Sequence, residues 1–191
     1  MVKPNNYIEV IKEINPLLSE KIILVSFMAG IRCASIKNEL SQDIPVVRCM
    51  TNITISDSEA HIFYHMKPFS KNIAGLINEF FNTFSKLKKC INEGDIDKIT
   101  ALYGCGPAYY VYFNKIIKDV FINMGYSNND ATIFTNDLMH GTSKIIEKNK
   151  DLDNIISSIA SKGGTTQAAL TELKNNKINS IISKAIKKAY K

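Results

Sequence analysis

The 191-residue chain has no apolar run of about 18 residues, so no segment of it reads as a membrane-spanning helix. Its first residues, Met1-Val2-Lys3-Pro4-Asn5-Asn6, lack the apolar stretch of a signal peptide. Cysteine is scarce and scattered. Cys33, Cys49, Cys90 and Cys105 form no C-x-x-C pair, and His61, His65 and His140 stand at no metal-ligand spacing from them. That argues against a zinc site and, without a secretion signal, for a reducing cytoplasm. Arginine is almost missing: Arg32 and Arg48 stand beside 22 lysines, in a net charge of +6. Nucleic-acid recognition favours the bidentate arginine fork. The lysines are instead spread over an Ile-, Lys- and Asn-rich chain, which reads as compositional bias with no nucleic-acid partner. Also missing is any Gly-x-Gly-x-x-Gly after a strand-like segment, the fingerprint of dinucleotide binding.

What is present describes a globular protein, with 45% apolar and 22% charged residues and room for one large or two small domains. Ile8, Ile11, Ile14 and Leu18 recur at helical spacing over residues 5–18. The run Ile22 to Met28 suits a strand buried on both faces of a parallel sheet. A short helix over 32–40, a strand over 45–50, a further strand over 60–66, a helix over 69–85 and a strand over 87–91 follow. This alternation predicts an α/β sheet with crossover helices. Beyond residue 94 the strand signal stops. Helices are expected at 95–102, 107–124, 128–149, 151–159, 165–174 and 177–190, broken at glycines and at 149–151. The expected domains are therefore an α/β piece, 1–93, and an all-α piece, 94–191.

Three stretches carry chemistry. Ser161-Lys162-Gly163-Gly164-Thr165-Thr166-Gln167 precedes an apolar helix whose free N–H groups point back at the loop, an arrangement suited to a carboxylate or phosphate. The same residues equally make a plain helix start with Thr165 as cap. Thr100 to Tyr109, with Gly104-Cys105-Gly106-Pro107, forms a tight turn into a helix or a close helix contact. Arg48-Cys49-Met50-Thr51-Asn52 ends a strand at the edge where open α/β sheets bind ligands, beside Ala29-Gly30. Simple strand termination explains it as well.

Taken together, these stretches resemble the pyrroline-5-carboxylate reductase family. The family pattern runs Val-Lys-Pro, Ser-x-Ala-Ala-Gly, Met-(Pro or Thr)-Asn-Thr-Pro, Ser-Gly-(Ser)-Gly-Pro-Ala-Tyr and Ser-Pro-Gly-Gly-Thr-Thr. Here it reads Val2-Lys3-Pro4, Ser26-Phe27-Met28-Ala29-Gly30, Met50-Thr51-Asn52-Ile53, Tyr103-Gly104-Cys105-Gly106-Pro107-Ala108-Tyr109 and Ser161-Lys162-Gly163-Gly164-Thr165-Thr166, in the same order. The resemblance implies part of a Rossmann-type domain followed by a helical domain that dimerises and builds the substrate pocket. It implies reduction of 1-pyrroline-5-carboxylate to L-proline with hydride from NADPH or NADH, the imine carbon lying over the nicotinamide. Substrate contacts would come from Glu93, Ser161, Gly163, Gly164, Thr165 and Thr166, with Thr166 or a water relaying the proton to nitrogen. Cofactor contacts would come from Val2, Lys3, Pro4, Phe27, Met28, Ala29, Asn52 and Ser158. The partners implied are the small-molecule substrate and a second copy of the chain, with no membrane.

The sequence departs from the family pattern at Lys162, at Ile53-Thr54, at Tyr103, where a small residue is usual beside a tight turn, and at Ser158, where the family has asparagine. Val-Lys-Pro follows the fourth Rossmann strand in the family. The expectation is thus a truncated or split form lacking the glycine-rich loop, about 65 residues at ~30 per βαβ unit. The alternative is a catalytically inactive remnant that keeps only the helical dimerisation module.

Overall fold

The computed structural model describes residues 2–67 and 71–190. Four strands, β1 (Leu24–Ser26), β2 (Val46–Met50), β3 (His61–Met66) and β4 (Lys86–Lys89), form one sheet in sequence order. Its helices are α1 (Tyr7–Ile14), α2 (Cys33–Glu39), α3 (Lys71–Asn82) and α4 (Glu93–Ile99), which continues into a π-type turn, Thr100–Gly104. The remainder is helical: α5 (Gly106–Asn123), α6 (Asn128–Lys148), α7 (Leu152–Ile159), α8 (Thr165–Asn175) and α9 (Ile178–Ala189). A fragment of a Rossmann-type sheet followed by a helical part is the fold class expected from the sequence. By packing, the chain divides into one unit running to Pro107 and including the segment from Ile186, and a second running from Ala108 to Ala185.

Two sheet expectations are corrected. The sheet is mixed: β1 pairs parallel with β2 and β3 parallel with β4, but β2 and β3 are antiparallel, with Arg48 opposite His65 and Met50 opposite Phe63. A 3₁₀ turn over Ile53–Asp57, closed by Ser58 at φ 60°, joins β2 to β3 and is too short for a crossover. The apolar run 22–28 yields only a three-residue strand. Val25 is exposed because β1 is an edge strand among the described residues. The helix expected from residue 69 is seen from Lys71; Phe69 and Ser70 lie outside the described residues.

The period-two alternation of β2 sorts the core. Val47 and Cys49 face one side, joining Ile62, Tyr64 and Met66 of β3 against Ile77 and Phe81 of α3. Val46 and Met50 face the other. Val46 packs with Ile11 of α1 and with Cys33 and Ile36 of α2, while Met50 packs with Cys90 and with Ile96 of α4. Arg48 lies on this second face, between those two apolar clusters, and is fully buried.

Candidate functional site

A buried arginine is the first clue to how the sheet's ligand edge is built. Arg48 Nη2 donates to Asp97 Oδ1 at 2.5 Å, and its Nη1 lies 3.7 Å from Glu93 Oε1. Nε and Nη1 have no hydrogen-bond acceptor. Glu93 and Asp97 stand one turn apart on α4, so both reach the same guanidinium. The Glu93 oxygen also accepts the Cys33 N–H, at 2.6 Å, where α2 begins. Asp97 further meets Arg32, the residue before α2, at 3.8 Å. Glu93, expected as a substrate contact, is thus engaged by the protein's own backbone. Sequence reasoning did not link Arg48 to these acids. The available signal was a lone charge inside an apolar strand and two acids at i and i+4.

Burial also shapes the thiols. Cys33 is pushed up to about 11, first by loss of water and then by the nearby Glu93 carboxylate. Cys49 is pushed up to about 12, again mainly by burial. Both stay protonated and unreactive at neutral pH.

The carboxyl ends of β1 and β2 lie at one edge because the two strands are parallel. After β1, Phe27 and Met28 are half-buried, Ala29 is exposed and Gly30 takes φ 75°. Val2, Phe27 and Met28 line one cavity of about 340 Å³ with apolar side chains of α1, β1 and α2. Lys3, Pro4 and Ala29 do not line it. Its walls suit a flat, weakly polar ring. No lysine or arginine lines it, so it offers nothing to a pyrophosphate. Of the residues that the resemblance assigns to the cofactor, Val2, Phe27 and Met28 are brought together in this cavity. After β2, the Asn52 side chain is already occupied: Oδ1 accepts from the Thr54 N–H and hydroxyl at 2.9 and 2.7 Å, and Nδ2 donates to the Tyr103 carbonyl at 3.2 Å. Tyr103 is accommodated beside its tight turn. Its ring packs edge-on against His61 and Phe63, and its hydroxyl accepts the His61 N–H at 2.7 Å.

In the second unit, Ser161, Gly163, Gly164, Thr165 and Thr166 form one loop at the start of α8. Gly164, not Thr165, is the N-cap. A Cβ on Gly164 would sit 2.6 Å from Ser161 Oγ and 3.1 Å from the Ser161 carbonyl, and Gly163 has φ 76°. Both glycines are thus required by the turn. The Gln167 side chain reaches back to accept the Gly163 N–H at 2.5 Å. It is a capping interaction that the sequence signals by glutamine three residues after the cap. With a glycine cap, the N–H groups of Thr165, Thr166 and Gln167 have no acceptor within the helix. Two threonine hydroxyls and these donors can receive a carboxylate. Ser158 lies on α7 before the loop, and its hydroxyl donates to the Ile155 carbonyl at 2.7 Å.

The comparisons with known proteins agree with one another. The family model for pyrroline-5-carboxylate reductase dimerisation matches residues 93–191. A pyrroline-5-carboxylate reductase of Staphylococcus haemolyticus is 30% identical over 193 residues, and that of Staphylococcus saprophyticus 27% over 190; each match covers 98% of this chain and 69% of the relative. Among solved structures, Plasmodium falciparum pyrroline carboxylate reductase with NADP bound superposes with a TM-score of 0.87 at 26% identity, over 99% of this chain and 76% of that one. The chain belongs to the pyrroline-5-carboxylate reductase family.

Proposed function

We propose that this protein works as a pyrroline-5-carboxylate reductase, reducing 1-pyrroline-5-carboxylate to L-proline with NADPH or NADH. The observation that carries the reading is the glycine-capped start of α8. Its free N–H groups and the hydroxyls of Thr165 and Thr166 provide a receptor for the substrate carboxylate. Lys162, exposed one residue before the glycines, adds a positive charge beside that anion. When bound, the reduced nicotinamide supplies hydride to the imine carbon. Val2, Phe27 and Met28, which share the apolar cavity beside β1, are the residues assigned to its ring; the Asn52 side chain and the Ser158 hydroxyl are engaged within the protein. Reduction also requires a proton on the ring nitrogen, and the Thr166 hydroxyl, directly or through a water, is the group assigned to relay it. The four cysteines, none in a disulfide, suit the reducing cytoplasm in which such a biosynthetic enzyme acts. A second copy of the chain completes the helical unit.

The test is a turnover assay with the purified chain, 1-pyrroline-5-carboxylate and reduced nicotinamide dinucleotide, read as loss of reduced-nicotinamide absorbance. Thr166→Val is expected to lower kcat by about 10²-fold, the low end for a proton-transfer group. Thr165→Val raises KM for the imino acid. A chain that neither turns over nor binds either dinucleotide overturns the reading.

A further inference from the structure

The carboxylate of Glu93 is surrounded by the protein itself. Its oxygen Oε1 accepts the Cys33 N–H at 2.6 Å and lies 3.7 Å from the buried Arg48 guanidinium. Its neighbour one turn along α4, Asp97, takes Arg48 Nη2 and faces Arg32. Arg32 and Cys33 are the last residue of the β1–α2 connection and the first of α2. The near end of that connection is fixed by β1, paired with β2 from Leu24 to Ser26. Its far end has no comparable ladder. α2 has only seven residues and no side-chain cap of its own at Arg32, so a carboxylate from another helix holds its opening N–H. Between the two ends lie Phe27, Met28, Ala29 and Gly30, the last at φ 75°.

We propose that Glu93 is a positioning residue: through the Cys33 N–H, and oriented by Arg48, it fixes the β1–α2 loop and with it the Phe27–Met28 wall assigned to the nicotinamide. The assignment of that wall rests on the reductase reading. The clamp itself does not. Charge makes the clamp strong, because an ionised acceptor holds an amide roughly twice as well as a neutral one. Arg48 supplies the orientation. Fully buried and short of acceptors at Nε and Nη1, it attracts both α4 carboxylates and keeps Glu93 from turning to solvent. A residue in this role acts on the substrate only through the loop.

Two variants and two readouts test this. Hydrogen exchange followed by mass spectrometry is measured on the chain, on Glu93→Ala and on Glu93→Gln, for peptides covering 27–36 and for the strands 46–50 and 61–66. Losing a hydrogen bond to a charged group should speed exchange of the 27–36 segment in Glu93→Ala by about tenfold or more, with both strands unchanged. Glu93→Gln keeps an acceptor and should restore most of the protection. Turnover is the second readout. Glu93→Ala raises KM for the dinucleotide more than KM for the imino acid, whereas a direct substrate contact does the reverse. The proposal is overturned by unchanged exchange in Glu93→Ala, by equal acceleration in the two strands, or by a KM effect confined to the imino acid. A chain that neither turns over nor binds either dinucleotide rejects the reductase reading and leaves the exchange result to decide the clamp.

Discussion

At the scale of single residues, the sheet's second face is organised by one charge. Arg48 is buried completely between two apolar clusters, and Asp97 is its closest partner. Removing one member of such a pair leaves the other desolvated and uncompensated, which costs about 3–5 kcal/mol. Asp97→Ala should therefore lower unfolding stability by about that amount in urea titration. Asp95 is half-buried, pairs with Lys98 and accepts the Asn92 N–H at the start of α4; Asp95→Ala should cost about 1 kcal/mol, well below Asp97→Ala. The thiols give a second prediction. Cys33 and Cys49 are buried and pushed up to about 11 and about 12, while Cys105 is half-buried. Alkylation by iodoacetamide at mildly alkaline pH should modify Cys105 first and leave Cys33 and Cys49 until the chain unfolds. The same shifts fix a pH dependence. A thiol raised above its ordinary 9.0 in the folded state binds its proton more tightly there than when unfolded. Its contribution is whole below pH 9.0 and is lost as pH rises toward about 11 for Cys33 and about 12 for Cys49. Thermal melting from pH 8 upward should show that decline, and a flat profile would contradict it.

At the scale of elements, the π-type turn after α4 shows why Tyr103 fits where a small residue is usual. The turn carries its side chain over β3, against His61 and Phe63, and turns its hydroxyl to the His61 N–H. Tyr103→Phe leaves that half-buried N–H without its acceptor and should cost about 1 kcal/mol, measurable by denaturant midpoint. The sequence alone could not show this, since the contact joins residues 42 apart. What it did reveal follows the reach of its signals. Helical spacing located α1 and α5 to α9 within a few residues, because that periodicity is local. The mostly apolar strand Val46–Met50 was recognisable by composition, although Arg48 interrupts it. The direction of β3 was hidden, because pairing depends on the turn over Ile53–Asp57 and not on the strand's own residues. At the candidate site, the turn at Ser161–Thr166 and the helix after it were legible from two glycines ahead of the helical pattern, whereas an anion-binding role was not, because the same residues equally make a plain helix start. The engagement of Asn52 by Thr54 and Tyr103, and of Glu93 by Cys33, was not, because each depends on packing between distant segments.

At the scale of the whole molecule, the segment 108–185 buries too little to stand alone. Only Ala131, Thr135 and Ile155 in it are buried, while Tyr110, Tyr112 and Met124 are 74%, 67% and 75% exposed. Val111, Leu138 and Ile181 add to the uncovered apolar surface. Apolar surface of this extent marks an interface. None of the described helices is long and apolar enough to cross a membrane. The family model matched over residues 93–191 is one of dimerisation, and α5 and α6 leave Tyr110, Val111, Phe113, Phe134 and Leu138 exposed. Obligate contacts of this kind bury about 2,000 Å² or more, so folding and association should be coupled. Light scattering on the eluted protein should give twice the chain mass, persisting on dilution to the nanomolar range. Val111→Asp, which puts a charge among the exposed apolar residues Tyr110, Tyr112 and Phe113 of α5, should yield a monomer with reduced helix content by circular dichroism. A wild-type monomer with full helicity at micromolar concentration would show that the exposed stripe is not a dimer contact.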